Sequence, residues 1–177
     1  MQININDALL YFDVENPGLV PGKSSMHELP VMIILHGGPG YDHTPYQGFF
    51  STLRDKVQII YLDLHGNGRS ATGSPDSWNF LRWTNDISQF CKQLHIKNPI
   101  IFGHSFGSMV ALEYAIRYPQ ELSKLVLCNV VPKFDIEETA NIFYSLGGDT
   151  AKEAFLNYLT FLTNVLYNVR LVNMSLK

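Results

Sequence analysis

Residues 100–109 read IIFGHSFGSM. An apolar, β-branched run stops at a glycine, and Ser105 then stands between Gly103 and Gly107. The residues that follow, through Tyr118, have helical periodicity and stop at Pro119. Strand, sharp turn and helix in that order form the context of a G-x-S-x-G elbow. Such a turn holds the serine in a strained backbone conformation and lifts its hydroxyl above a sheet. Side chains two residues before and after would collide across so tight a turn, and glycine removes both. The helix N-terminus beneath the serine favours developing negative charge. Ser105 is therefore the candidate nucleophile. The competing reading is a glycine-rich turn whose serine only caps a helix.

One strand earlier, VMIIL (residues 31–35) runs into HGGPG (residues 36–40). Such a fold sets this strand beside the elbow strand. Two glycines let the backbone turn sharply and aim N–H groups inward. An oxyanion hole needs donors about 3 Å from the developing charge. The N–H groups of Gly38 and of Phe106, the residue after the nucleophile, are the candidates. A loop shaped only by glycine and proline is the plain alternative.

Working outward, apolar runs alternate with helical patterns. Thr44-Pro45 reads as an N-cap followed by proline at the first helical position, with Phe49, Phe50 and Leu53 on one face. Residues 57–64 (VQIIYLDL) are the next strand. Phe80, Trp83, Ile87, Phe90 and Leu94 mark one face of an amphipathic helix. PIIFG and KLVLCNVV (residues 124–131) complete the strands. The segment 16–30, rich in proline, glycine and serine, reads as a loop. This alternation predicts an α/β fold with a mostly parallel sheet and helices on both faces. Residues 1–131 form its core. From residue 132 the strand rhythm stops, and residues 135–167 look helical, the start of a cap or lid over 132–177. Its aromatic residues, Phe143, Tyr144, Phe155, Tyr158 and Phe161, suit an apolar pocket or simple packing equally.

Composition narrows the function classes. The chain has 177 residues, and its formal charge of -3 with scattered lysines and arginines gives nucleic acid no electrostatic footing. The longest purely apolar run, VMIIL, is far too short to span a bilayer. Cys91 and Cys128 form no CxxC pair and read as reduced core residues. The N-terminus lacks the layout of a signal peptide. These features predict a cytoplasmic enzyme without nucleic-acid or membrane partners, and the elbow with its HGGPG loop adds the expectation of a small-molecule or short-peptide substrate.

HGGPG, DLHGNGRS (residues 63–70) and GHSFGS (residues 103–108), in this order, resemble the proline iminopeptidase family of α/β-hydrolases. The likeness is good over residues 30–131 and elsewhere a matter of rhythm. The family usually reads DQRG where this chain has Asp63-Leu64-His65-Gly66, and commonly GGSWG at the elbow. The resemblance implies an α/β-hydrolase fold, a serine nucleophile followed in chain order by an acid and a histidine, and a helical lid after KLVLCNVV. It implies no metal and no cofactor, and it makes Asp63 structural, holding the HGNGRS turn.

The activating pair is the gap. All six histidines precede Ser105, and Asp135 and Asp149 come too early for the family's acid. His36 and His104 belong to motif turns, and His27 and His95 read as surface residues. His43, in the loop after HGGPG, is a candidate pocket residue and, with Asp42, a candidate alternative base. The G-x-G of Gly66-Asn67-Gly68 lacks a dinucleotide context. Three readings stand: a serine hydrolase truncated within or after the start of its lid, a non-catalytic binding relative, and an intact enzyme using an unusual base such as His43. Peptide, amide and ester substrates all remain open.

Overall fold

In chain order the strands are β1 (Gln2–Ile5), β2 (Ala8–Val14), β3 (Leu19–Pro21), β4 (Met26–Glu28), β5 (Val31–Leu35), β6 (Gln58–Leu62), β7 (Ile100–His104) and β8 (Lys124–Cys128). The helices are α1 (Phe80–Gln93), α2 (Phe106–Arg117) and α3 (Ile136–Val165). This computed structural model describes residues 1–130 and 135–165, with side chains through residue 160. Val131, the Phe161 side chain and the apolar ending after Val165 lie outside the described residues.

Six strands form one sheet in the order β1-β2-β6-β5-β7-β8. The four strands expected from the apolar runs, β6, β5, β7 and β8, are parallel to one another. β1 and β2 extend the sheet as antiparallel strands that the sequence reading did not single out. Their signal was an alternation, Ile3, Ile5, Leu10 and Phe12, broken by a turn at Asn6 in the left-handed region (φ 55°). The expected loop over 16–30 contains a short antiparallel hairpin, β3–β4.

The chain steps from β5 to β6 on one side, then back over β5 to β7 and on to β8. Right-handed crossovers in opposite directions put their connections on opposite faces. α1 and α2 accordingly pack on each other, and α2 packs on β5, β7 and β8. The opposite face is covered by Phe50, which with Met32, Ile34, Ile59 and Tyr61 forms a buried cluster. The helix expected after Thr44 is instead two 3-10 turns, Thr44–Tyr46 and Ser51–Leu53. Pro45 and Gly48 (φ 78°) leave no continuous stretch for an α-helix. Nor is Thr44 the cap: Asp42 Oδ1 accepts its N–H at 2.9 Å and its hydroxyl at 2.5 Å. Phe50 is buried, whereas Phe49 is 75% exposed.

The alternate residues of the central strands, Ile33, Leu35, Ile60 and Leu62, project to the α1/α2 side by the pleat and are almost fully buried. Trp83 on α1 packs edge-on against Phe106 of α2 (5.0 Å between centroids), and Phe90 packs against Phe12 (5.1 Å). The reversal of strand order around β5 opens a crevice at the carboxyl ends of β5 and β7, where α/β sheets bind ligands. HGGPG leaves one of those ends and the elbow leaves the other.

The chain divides into two units, residues 1–130 and 131–177. Within the second, Asp135 caps α3, accepting the Glu138 N–H at 3.0 Å, which gives this carboxylate a local role. The backbone of α3 breaks at Gly147 and Gly148, the latter at φ 63°. Phe143 and Phe155, on either side of the break, stack with centroids 4.7 Å apart.

Candidate active site

Ser105 sits at the junction of β7 and α2 with φ 52° and ψ -117°, outside the regions that L residues ordinarily occupy. Its N–H donates to the Cys128 carbonyl of β8 at 2.8 Å, which pins the turn to the neighbouring strand. Its carbonyl accepts the Ser108 N–H at 2.9 Å and so starts the helix. Among the described residues its hydroxyl makes no hydrogen bond. The flanking glycines are required for two different reasons. A Cβ on Gly103 would be driven into the Gly107 carbonyl across the turn, as the spacing predicts. A Cβ on Gly107 would strike the Leu35 and His36 carbonyls of the adjacent loop, a constraint set by β5 and invisible in the pentapeptide.

Phe106 opens α2, so its N–H has no intrahelical acceptor. Its ring is buried against Trp83 and Phe80, which fixes where that amide points. In HGGPG the Gly37 N–H donates to Tyr46 Oη at 2.9 Å and the Gly40 N–H to Asn67 Oδ1 at 2.7 Å. The Gly38 N–H, at φ 124°, makes no hydrogen bond among the described residues. The loop after β5 and the elbow meet directly: a Cβ on Gly37 would lie 3.1 Å from His104 Nδ1.

His43 is not where the sequence reading put it. It is fully buried, with Nδ1 2.7 Å from Asp63 Oδ1 and Nε2 3.0 Å from Asp13 Oδ2. Its ring stacks between Tyr11 and Tyr61. Burial alone would lower its pKa, but the hydrogen bonds and charges of Asp63 and Asp13 outweigh it and raise it. Both ring nitrogens are engaged by carboxylates, so the expected pocket residue and alternative base is a clamp instead. The reason is β2: Asp13, 30 residues away in sequence, arrives on an antiparallel strand that the alternation signal alone could have revealed.

Asp63 is buried and holds the turn that follows β6. Its Oδ1 accepts the His43 N–H at 3.0 Å, its Oδ2 accepts the Arg69 N–H at 2.9 Å, and its carbonyl accepts the Ser70 hydroxyl at 2.6 Å. His36 is buried with Nδ1 2.6 Å from the Gly37 carbonyl and Nε2 accepting the Leu64 N–H, and burial pushes its pKa down. His65 is buried, bonded through Nε2 to Ser77 Oγ at 2.7 Å, with its pKa pushed down by burial. His27 and His95 are exposed. Cys91 is a buried free thiol whose pKa burial pushes up to about 12, and Cys128 is a half-buried free thiol. No described helix is long and apolar enough to cross a membrane.

A strained serine at a strand-to-helix junction, beside a glycine loop at the switch point of a parallel sheet, is the signature of one fold class. Residues 30–168 match the family described as alpha/beta hydrolase fold, and the chain belongs to that family. Proline iminopeptidase of Clostridium botulinum is 30% identical over 130 residues, 72% of this chain and 44% of that protein. The putative carbamate hydrolase RutD of Yersinia enterocolitica is 28% identical over 135 residues, 76% of this chain and 45% of that protein. The chain therefore spans less than half the length of these curated relatives. Among solved structures, the epoxide hydrolase VrEH1 from Vigna radiata superposes with a TM-score of 0.64 at 18% identity, over 84% of this chain and 46% of that one. At that identity the likeness speaks for the fold alone.

Proposed function

We propose that the chain carries the nucleophile half of a serine hydrolase, with Ser105 as nucleophile and the amides of Gly38 and Phe106 as oxyanion donors. The observation that carries this reading is Ser105 itself, at φ 52° with its N–H tied down and, among the described residues, its hydroxyl unspent. In the step proposed, Oγ bonds to the substrate carbonyl carbon as its proton passes to a base. The carbonyl oxygen takes the negative charge, the leaving amine or alcohol departs with a proton, and water hydrolyses the acyl-enzyme.

The likeness to proline iminopeptidases supports an aminopeptidase that releases an N-terminal proline from a short peptide. The carbamate hydrolase likeness, together with Leu64-His65 where the peptidases read QR, favours a second reading: a small amide, carbamate or ester. The net charge of -3 gives nucleic acid no electrostatic footing, and a cytoplasmic location belongs to the same reading as a proposal. The proposed chemistry calls for neither metal nor cofactor.

No histidine follows Ser105 in these residues, and His43 is committed to two carboxylates. A chain limited to them is expected to bind substrate without turnover. In a version extended with the family's acid and histidine, Ser105→Ala is expected to lower kcat by about 10^4 to 10^6-fold. Assays with proline p-nitroanilide and with a small p-nitrophenyl ester separate the two substrate readings. Near-normal turnover by the alanine variant overturns the nucleophile assignment.

A further inference from the structure

Two loops meet beside Ser105, and a single phenol joins them. The Gly37 N–H, immediately before the candidate oxyanion amide of Gly38, donates to Tyr46 Oη at 2.9 Å. His104, immediately before Ser105, has Nδ1 2.8 Å from the same oxygen. The other ring nitrogen, Nε2, is 3.1 Å from Asn129 Nδ2, just past the end of β8. The phenol oxygen accepts the Gly37 N–H and shares one proton with His104 Nδ1, so a single hydroxyl bridges both loops, while Asn129 holds the far ring nitrogen. The packing is close as well as polar: a Cβ on Gly37 would lie 3.1 Å from both His104 Nδ1 and Tyr46 Oη. Burial raises the pKa of Tyr46 and keeps it a neutral phenol. Its ring is seated on the Met32, Ile34 and Phe50 cluster, so the oxygen is held from below.

We propose that Tyr46 is a positioning residue, fixing the Gly37–Gly38 amides of the oxyanion loop in register with the nucleophile elbow through His104. This rests on the serine-hydrolase reading of Ser105. Oxyanion donors act only within a few tenths of an ångström of their working distance. A loop held to the elbow by a rigid phenol keeps that distance without using a group that touches substrate. Tyr46→Phe preserves the ring and deletes only the bridging hydroxyl.

The test uses the full chain and two independent readouts. In Tyr46→Phe, hydrogen exchange at the Gly37 amide is expected to accelerate about tenfold or more relative to Ile33 and Ile34, and the His104 ring nitrogen shifts are expected to change. Slow stoichiometric modification of Ser105 by a fluorophosphonate, followed by mass spectrometry, is expected to fall about tenfold in maximal rate at an unchanged half-saturating concentration. Asn129→Gly accommodates the left-handed backbone there (φ 54°) and removes only the His104 contact, so it is expected to alter the His104 signal and leave Gly37 protected. Unchanged Gly37 exchange in Tyr46→Phe overturns the proposal, as does slowing that appears only in the half-saturating concentration. If Ser105 of the parent chain does not react even with added imidazole while Gly37 exchange responds, the hydrolase reading fails and the loop-fixing contact stands.

Discussion

Residues 1–130 and residues 135–160 solve the problem of burying apolar surface in opposite ways. In the first region Ile33, Ile34 and Leu35 of β5 have no exposed surface, and each buried histidine has a bonded partner. In the second, Leu146 is 78% exposed, Tyr158 55% and Ile142 53%, and the helix breaks at two consecutive glycines. One region is over-determined by close contacts; the other is an amphipathic helix pair with much of its apolar surface in water. Stability and the candidate chemistry therefore reside in the first region, and substitutions in the two are expected to differ accordingly.

The largest effect is expected at Trp83, 1% exposed and packed on Phe106, with its Nε1 donating to the His65 carbonyl at 2.8 Å. Trp83→Ala is expected to cost about 3–5 kcal/mol by urea denaturation, and to release the Phe106 amide at the elbow. A cost under about 1 kcal/mol would break the contrast between the regions.

His43→Ala comes next, at about 3 kcal/mol, because it removes the imidazole between the buried Asp63 carboxylate and Asp13 and leaves Asp63 only its two backbone donors. Its pH dependence has a definite sign. The pKa of His43 is raised in the folded chain, so its stabilisation is fully present below about pH 6.5, the ordinary histidine value. It is lost as pH rises through the folded value. His36 and His65, whose pKa values burial lowers, act oppositely and lose their contribution as pH falls. The difference between parent and His43→Ala unfolding curves isolates His43, and it is expected to shrink from pH 6 to pH 9. A difference that grows over that range would contradict the clamp.

A gain is expected at the nucleophile. Ser105→Gly accepts φ 52° without strain and is expected to stabilise the chain by about 1 kcal/mol while abolishing any reaction at that position. Destabilisation would mean that the elbow is not strained. Smallest of all is Leu146→Ser, expected within about 0.5 kcal/mol of the parent, with improved solubility as the readout.

Much of this was legible from local sequence because the elbow is a backbone constraint. Gly103, Ser105 and Gly107 announce a turn that nothing bulkier tolerates, and the apolar runs around them announce buried parallel strands. What was not legible depends on partners far away in sequence. His43 meets Asp13 over 30 residues and Tyr46 meets His104 over 58, and no local spacing encodes either pairing. β1 and β2 did carry a signal, the alternation of Ile3, Ile5, Leu10 and Phe12. It is short and interrupted by polar residues, and these antiparallel strands lack the unbroken apolar run of β5. The short helix expected after Thr44 failed locally, since Pro45 and Gly48 divide it into 3-10 turns.

The central claim is that these residues hold a nucleophile without its base, and chemical rescue addresses it directly. The rate of Ser105 modification by a fluorophosphonate is measured with increasing imidazole, beside Ser105→Ala. The account predicts slow labelling at Ser105 alone, accelerated on the order of tenfold by neutral imidazole acting as the missing base. Rapid labelling independent of imidazole would place a working base within the chain and contradict it.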